Sequence, residues 1–376
     1  MDPCAEPVTA AGFERLAAAC LPADVWDFVS GGSGAETTLE ANRAALDNVF
    51  LVPRMLRDVS ACSTRSTLLG RPVELPVAAA PVAYQRLLHP DGETATARAT
   101  AAAGVPFIAS TLGSVPIERI TAIGGRVWFQ LYWLRDDAAT LDLVRRAEDA
   151  GCEAVVVTVD VPWMGRRLRD IRNGFALPAH VRAANLTTTA AAHDRAGTGS
   201  AVAAHTSQEF SPALTWSALA RLRERTRLPL VVKGLLAPED ARRAVEYGVA
   251  AVVVSNHGGR QLDGAVASAD ALPEVVEAVA GDCEVLLDSG IRSGTDVLRA
   301  LALGASGVLL GRPLMWGLAA AGEAGAARVL QLLGAELRDV MGLAGCEDIA
   351  AAGRLRTVRW SSHRGFAPVG RPSSAD

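Results

Sequence analysis

Residues 251–264 read AVVVSNHGGRQLDG and carry the clearest signal of the fold. The stretch opens with four small or β-branched residues in a row, which is typical of a parallel strand buried on both faces. It then changes at once to polar residues and glycines. Seven other segments show a similar short apolar run, and the eight together are 76–81, 107–110, 127–132, 154–160, 230–234, 251–256, 284–290 and 307–311.

Segments with charged residues at helical spacing lie between these runs, at 94–103, 138–150, 238–247, 272–280, 294–303 and 322–342. Alternating strands and helices predict an α/β protein with a parallel sheet, and eight such strands can close into a (β/α)8 TIM barrel. An open doubly wound sheet, the alternative, normally has a GxGxxG turn after its first strand, and none follows 76–81. We therefore predict a single (β/α)8 barrel over residues 75–350.

Three segments lie outside this repeat. Residues 1–74 are predicted to form an N-terminal helical segment that caps the barrel, with short helices in 9–49 joined by the turn SGGSG at 30–34. Residues 172–214 follow the fourth strand and make a connection far longer than usual, with little apolar periodicity, so we predict a mobile lid over the active face. The tail 361–376 is polar and contains proline and glycine, which predicts disorder.

Composition excludes several classes of protein. Half of the residues are hydrophobic and 21% are charged, which excludes a disordered chain. A net charge of -4 lacks the basic surface that nucleic acids require. The longest uncharged stretch, 99–117, is interrupted by glycine and proline, so no membrane span is predicted. The six cysteines include no CxxC pair and the N-terminus shows no secretion signal, so we expect a cytoplasmic location, and no metal site is predicted.

Lysine is nearly absent from the chain. Of the 37 basic side chains that are lysine or arginine, only Lys233 is a lysine. An arginine-rich composition suggests that lysine persists where a planar guanidinium cannot replace a compact ammonium. Lys233 is therefore a candidate site residue, and the alternative is that it has survived by chance.

Polar residues cluster at the predicted carboxyl ends of the strands, which form the active-site face of a TIM barrel. His257 is followed by two glycines and by Arg260, which indicates a base beside a carboxylate clamp, although a lone histidine at a strand end is ordinarily structural. Asp160 ends the fourth strand and could stabilise an imidazolium. Glycine-rich turns at 288–294 and 307–313, after strands seven and eight, predict a phosphate site, although such glycines also occur for steric reasons.

The segments SNHGGRQLDG (255–264), TVDVPWMGRR (158–167), FQLYWLRD (129–136) and LLDSGIRSGTDVLRALALGASGVLLGRP (286–313) resemble the FMN-dependent 2-hydroxy acid oxidases and dehydrogenases. LVVKG (230–234) and FVSGGSGAETTLEANRAAL (28–46) do so as well, and the resemblance covers about 10–350 in family order. It implies FMN as the cofactor, His257 as the catalytic base, Asp160 as its partner and Tyr132 as a hydrogen-bond donor to the substrate oxygen.

The resemblance also implies the binding residues. Arg167 and Arg260 would hold the substrate carboxylate, with Phe28 in the same pocket. The implied FMN contacts are Val82 and Ala83 beside the flavin; Ser110, Gln130 and Thr158 on its ring edges; Lys233 and Ser255 near N1 and the C2 carbonyl; and Asp288, Ser289, Gly290, Ile291, Arg292, Gly311 and Arg312 around the phosphate.

Two departures from the family pattern bear on the substrate. Phe28 stands where short-chain oxidases carry a second tyrosine, and Leu112 stands where glycolate enzymes carry a tryptophan. Both changes make the pocket more apolar or roomier, and segments such as DVPWMGRRLRDIRNGFALP (160–178) are most similar to enzymes that act on 4-hydroxymandelate. The implied reaction is oxidation of an (S)-2-hydroxy acid, 4-hydroxymandelate or mandelate, to the 2-oxo acid, with O2 reduced to hydrogen peroxide.

Three alternatives stay open at this point. The first is a flavin dehydrogenase that passes electrons to a quinone or a carrier protein. The second is a non-redox barrel enzyme that uses the phosphate site for its substrate, and the third is an inert binding protein. Family analogy also leads us to expect a homo-oligomer, specifically a tetramer.

Overall fold

The computed structural model describes residues 7–186, 190–193, 200–361 and 365–369. Its strands are β1 (Val49–Leu51), β2 (Ser66–Leu68), β3 (Arg71–Val73), β4 (Val77–Ala79), β5 (Phe107–Ser110), β6 (Val127–Leu131), β7 (Val155–Thr158), β8 (Leu230–Leu235), β9 (Ala251–Val254), β10 (Glu284–Leu287), β11 (Gly307–Leu310), β12 (Thr357–Ser361) and β13 (Gly365–Val369). Strands β4 to β11 follow one another in chain order around a closed parallel barrel, in which β11 pairs with β4. The predicted TIM barrel is therefore confirmed.

The α-helices of the described residues are α1 (Ala10–Cys20), α2 (Ala23–Ser30), α3 (Thr37–Asp47), α4 (Glu93–Ala102), α5 (Ile117–Thr121), α6 (Asp137–Asp149), α7 (Leu168–Arg172), α8 (Ala201–Glu209), α9 (Trp216–Arg225), α10 (Pro238–Glu246), α11 (Ser268–Val279), α12 (Gly294–Ala302), α13 (Arg312–Leu343) and α14 (Ile349–Ala352). Short 3-10 helices lie at Gln85–Leu87 and Ala190–His193. Helix α13 consists of two helical parts, because Ala321 and Gly322 leave the helical conformation. At least one helix follows each barrel strand, as the TIM topology requires, and three helices, α7, α8 and α9, lie between β7 and β8.

The hairpin of β2 and β3 closes the amino end of the barrel. Leu68 and Val73 are fully or nearly fully buried against the inward-facing side chains of the barrel strands. A Cβ added to Gly307, the first residue of β11, would meet the Leu68 side chain. The turn has two successive residues with positive φ, Leu69 and Gly70, as a tight hairpin requires. The short helices predicted within 9–49 are present as α1, α2 and α3, but the segment 1–74 also contains β1, β2 and β3, which the helical prediction did not include.

Helices α2 and α3 and the turn between them lie at the opposite end, against the loop that follows β9. The Ser33 amide donates to the Gly259 carbonyl at 2.9 Å, and the Thr38 amide donates to the Asp263 carboxylate at 2.9 Å. The position of these helices places Phe28 of α2 beside the carboxyl ends of the barrel strands.

Two segments differ from the sequence expectation. The long connection after β7 contains α7 and α8 rather than irregular chain alone, and its proposed mobility stays a prediction. The disorder predicted for 361–376 is wrong for Gly365–Val369, which pairs antiparallel with β12. The physical reason is that β12 pairs with β1 on one side only, so β13 can satisfy the backbone groups of its other edge. Residues 187–189, 194–199, 362–364 and 370–376 lie outside the described residues.

Within the described ranges, no helix combines the length and the apolar character that crossing a membrane demands.

Candidate active site

A cavity opens at the carboxyl ends of the barrel strands. The predicted site residues that line it are Phe28, Val82, Ala83, Ser110, Tyr132, Thr158, Arg167, Lys233, His257, Arg260, Asp288, Ser289, Gly290, Ile291, Arg292, Gly311 and Arg312. Three predicted residues, Gln130, Asp160 and Ser255, stand behind this lining and contact it. The structure therefore brings together every side chain that the sequence analysis singled out.

His257 and Asp160 form a partly buried pair just beyond the ends of β9 and β7. His257 Nδ1 lies 3.0 Å from Asp160 Oδ1, and the His257 amide donates to the Ser255 hydroxyl at 3.1 Å. His257 has a φ of 60°, and Gly258 and Gly259 continue in the left-handed region, which turns the chain sharply and presents the ring to the cavity. With Nδ1 occupied by Asp160, Nε2 is the nitrogen left to accept a proton.

The surroundings of this pair favour a neutral His257 imidazole together with an ionised Asp160 carboxylate. Burial, together with the Lys233 ammonium, lowers the pKa of His257, although Asp160 acts in the opposite direction. Burial acts to raise the pKa of Asp160, but His257 and Lys233 outweigh it and lower that pKa. A neutral imidazole oriented by a carboxylate is the arrangement of a general base.

Lys233 lies at the end of β8 and is almost completely buried. Its Nζ lies 2.9 Å from Asp288 Oδ2 and donates to the Ser255 hydroxyl at 2.8 Å. Burial acts to lower the pKa of Lys233, but Asp288 and Asp160 outweigh it and raise the pKa. The side chain is therefore a fixed ammonium at the edge of the cavity.

A row of polar side chains crosses the ends of three adjacent strands. The Ser110 hydroxyl donates to Gln130 Oε1 at 3.1 Å, and Gln130 Nε2 donates to the Thr158 hydroxyl at 3.1 Å. Strand register pairs Thr158 in turn with Lys233. The row presents hydrogen-bonding groups along one edge of the cavity, as the rim of a planar heterocycle requires.

Tyr132 lies one residue beyond β6, and its ring stacks on Phe210 with centroids 4.5 Å apart. Its amide donates to the Thr111 hydroxyl at 3.1 Å. Burial, and after it the Asp160 carboxylate, raises the pKa of Tyr132 to about 12. The phenol therefore stays protonated at neutral pH and can donate a hydrogen bond into the cavity.

Four arginines of the cavity wall lack a direct carboxylate partner, although backbone carbonyls accept hydrogen bonds from Arg260 and Arg312. Among the described residues, no carboxylate lies within salt-bridge distance of Arg167, Arg260, Arg292 or Arg312. Burial and the Arg260 guanidinium lower the pKa of Arg167 to about 9, and burial with Arg43 nearby lowers that of Arg292 to about 10. Buried cations without counter-ions are costly, so this wall is built to bind anions.

The arginines divide into two anion sites. Arg167 and Arg260 flank the ring of Phe28, with their guanidinium carbons 5.9 Å and 5.4 Å from its centroid. Arg292 and Arg312 instead line the side where the loops after β10 and β11 meet.

The second anion site has the backbone geometry of a phosphate cradle. Ser289 and Gly290 have φ values of 76° and 92°, and successive left-handed residues direct neighbouring amides into a common concavity. Gly311 is the N-cap of α13, so the positive end of that helix dipole also lies at this side. These features define a TIM-barrel enzyme with a site for a phosphate-bearing cofactor and, beside a histidine–aspartate base, a site for a small carboxylate.

Comparison with known proteins agrees with this class. The profile of the FMN-dependent dehydrogenase family matches residues 17–358. The chain is 61% identical to 4-hydroxymandelate oxidase of Amycolatopsis orientalis, covering 93% of this chain and 98% of that protein. It is 47% identical to L-lactate oxidase of Nostoc sp., covering 93% and 97%. A solved structure of mandelate oxidase with (S)-4-hydroxymandelic acid superposes with a TM-score of 0.92 at 61% identity, covering 93% of this chain and 99% of that one.

The chain belongs to the FMN-dependent dehydrogenase family, and FMN is its cofactor. The residues present fit that group: Arg292 and Arg312, which have no salt-bridge partner among the described residues, line the cavity at the phosphate cradle, and the Lys233 ammonium and the polar row border another part of it. The alternative of a non-redox barrel enzyme loses its support.

The structure also brings into the cavity residues that the sequence analysis did not predict as site residues. They are Val29, Ala80, Pro81, Tyr84, Val161, Met164, Val202, Thr206, Phe210, Gly258, Gln261, Leu309 and Met315. Val202, Thr206 and Phe210 belong to α8 and the residue after it, and their four-residue spacing is the helical signal that could have revealed this wall.

Proposed function

We propose that the protein oxidises an aryl (S)-2-hydroxy acid, 4-hydroxymandelate or mandelate, to the corresponding 2-oxo acid while O2 is reduced to hydrogen peroxide. The observation that carries this proposal is the partly buried His257–Asp160 pair, which faces the same cavity as the guanidiniums of Arg167 and Arg260, neither of which has a salt-bridge partner among the described residues. The names of the relatives, hydroxymandelate and lactate oxidases, support it.

Each residue has a role at a stated atom. Arg167 and Arg260 bind the substrate carboxylate through charge-assisted hydrogen bonds. His257 Nε2 takes the proton of the 2-hydroxyl group, and Asp160 stabilises the imidazolium that results. Tyr132 donates a hydrogen bond to the substrate oxygen. When bound, FMN would supply the two-electron acceptor for the hydrogen at C2 and would allow those electrons to pass on to O2.

The same proposal assigns the cofactor contacts. Lys233 and Ser255 would contact the N1 and C2 carbonyl edge, and the row of Ser110, Gln130 and Thr158 would hydrogen-bond the ring edges. Val82 and Ala83 would lie beside the flavin. The phosphate would be held by Asp288, Ser289, Gly290, Ile291, Arg292, Gly311 and Arg312.

The apolar residues near Phe28 favour a substrate that carries an aryl group. Phe28 stacks on Phe175 with centroids 4.5 Å apart, and Leu112 and Met164 also line the cavity. An apolar and aromatic lining stabilises a phenyl ring, whereas glycolate has no side chain to use it.

Anaerobic reduction by a panel of acids tests the proposal. Purified holoenzyme is mixed with glycolate, L-lactate, (S)-mandelate, (S)-4-hydroxymandelate and, as a control, (R)-mandelate, and flavin absorbance is followed before air is admitted. We expect the two (S)-aryl acids to bleach the flavin fastest, with one peroxide formed per oxo acid. Bleaching without reoxidation in air would instead indicate a dehydrogenase that uses a quinone or a carrier protein.

Assembly and location complete the proposal. We propose a homo-oligomer, a tetramer by family analogy, in the cytoplasm. Light scattering on the holoenzyme measures the oligomeric state, and fractionation of the source cells measures the location.

A further inference from the structure

Tyr84 is a buried cavity residue to which neither the chemistry above nor the family pattern gives a role. It is 1% exposed, and its hydroxyl has no hydrogen-bond partner among the described residues. Its φ of 56° lies in the left-handed region, which a bulky side chain rarely adopts. A buried hydroxyl without a partner is unfavourable, so a ligand is expected to complete it.

Tyr84 lines the cavity on the side of Leu112 and interacts electrostatically with Tyr132. Its amide donates to the carbonyl of Leu112 at 3.1 Å, and Leu112 is the residue that the sequence analysis expects to leave room for a larger substrate. Burial, and after it the Tyr132 phenol, raises the pKa of Tyr84, so its hydroxyl is neutral.

The other polar groups of a hydroxymandelate already have hydrogen-bond partners in the proposed site. Its carboxylate meets Arg167 and Arg260, and its 2-hydroxyl meets His257 and Tyr132. His257 follows β9, whereas Tyr84 follows β4, which stands three places away around the closed barrel. Tyr84 therefore approaches the substrate from a different side of the cavity mouth from His257.

We propose that the Tyr84 hydroxyl hydrogen-bonds the para hydroxyl group of an aryl substrate and so determines specificity for 4-hydroxymandelate over mandelate. This inference rests on the proposed function. Mandelate would leave the Tyr84 hydroxyl unpaired, and a site built to pair a substrate hydroxyl discriminates against an analogue that lacks it.

The variant Tyr84→Phe tests the assignment, because it removes one hydroxyl and keeps the ring. The measured quantity is kcat/KM for (S)-4-hydroxymandelate divided by kcat/KM for (S)-mandelate, with FMN content and the flavin spectrum recorded for each preparation. We expect this ratio to fall about ten-fold, while kcat/KM for mandelate stays within about two-fold of wild type. Tyr247→Phe is the matched control, since Tyr247 lies on the outer side against Trp216, and it should leave the ratio unchanged.

Three outcomes would overturn the inference. An unchanged ratio in Tyr84→Phe would show that the hydroxyl does not meet the para group. An equal loss on both acids together with weaker FMN binding would assign Tyr84 to the cofactor or to the fold. Failure of both acids to reduce the wild-type flavin would refute the proposed function itself, and that result is distinguishable because it needs no variant.

Discussion

His257 and Asp160 set the pH dependence of the reaction. Because burial lowers the pKa of His257, the neutral base persists below its ordinary value of about 6.5, and kcat/KM should decline only at a more acidic pH. Asp160→Asn removes the charge that raises the pKa of His257. The acid limb of its kcat/KM profile should therefore move to lower pH, and the plateau should fall by roughly 10²- to 10⁴-fold because the imidazolium loses its partner. A limb that moves to higher pH would contradict this account.

The position of Lys233 is predicted to require an ammonium group rather than a guanidinium for FMN binding. The Nζ atom is packed between Asp288 and Ser255, and the side chain is 4% exposed, so the larger planar guanidinium of Lys233→Arg cannot take the same place. We expect FMN affinity to fall by about ten-fold or more, measured by fluorescence as the flavin dissociates. Arg227→Lys, an exchange at a 97% exposed side chain, is the control and should leave FMN affinity unchanged.

The chemically active residues could be predicted because strand ends concentrate them. His257, Asp160 and Lys233 each follow an apolar run directly, so their common location depends only on the barrel topology. Tyr84 and Thr206 could not be found in this way. The burial of Tyr84 depends on how the loop after β4 packs, and that of Thr206 depends on how α8 packs over the mouth, and residues far apart in the sequence decide that packing.

At the scale of elements, the eight barrel strands were predicted more accurately than the helices and the strands outside the barrel. The predicted run 284–290 extends three residues too far, because the chain turns into the left-handed phosphate cradle after Leu287. Helices α5, α7, α8, α9 and α14 were missed, and α5, α7 and α14 have only four or five residues each. Strand β13 was missed because a neighbouring strand edge, rather than its own composition, gives it a partner.

The hairpin of β2 and β3 should stabilise the barrel without affecting the chemistry. Leu68 is fully buried at the amino end of the barrel, opposite the cavity. Leu68→Ala is expected to lower the free energy of unfolding by about 2–5 kcal/mol, through lost burial and the cavity left behind. Chemical denaturation measures this change, and steady-state kinetics should be unaltered. Thr67→Ala, at the exposed neighbouring position, should lower the free energy of unfolding by less than about 1 kcal/mol. An equal effect of the two variants would contradict the role of Leu68 in closing the amino end of the barrel.

At the scale of the whole molecule, FMN is expected to stabilise the protein by neutralising the arginine-rich wall. Removal of FMN leaves Arg292 and Arg312 buried without an anion, so the apoprotein should melt at a lower temperature than the holoenzyme. Inorganic phosphate should restore part of the difference, since a ligand at one hundred times its Kd contributes about 2.7 kcal/mol. Thermal melts of apoprotein in phosphate and in chloride of equal ionic strength measure this effect. Identical melts in the two salts would show that the cradle does not bind phosphate.

The most direct test of the whole account is the anaerobic reaction of His257→Asn with (S)-4-hydroxymandelate. Asparagine occupies similar space but cannot accept the proton, so the variant should keep its yellow FMN spectrum and fail to bleach on the time scale of wild type. Wild-type holoenzyme, mixed in parallel, should bleach rapidly. Bleaching of the variant at the wild-type rate would contradict the assignment of His257 as the base and, with it, the reaction proposed for this barrel.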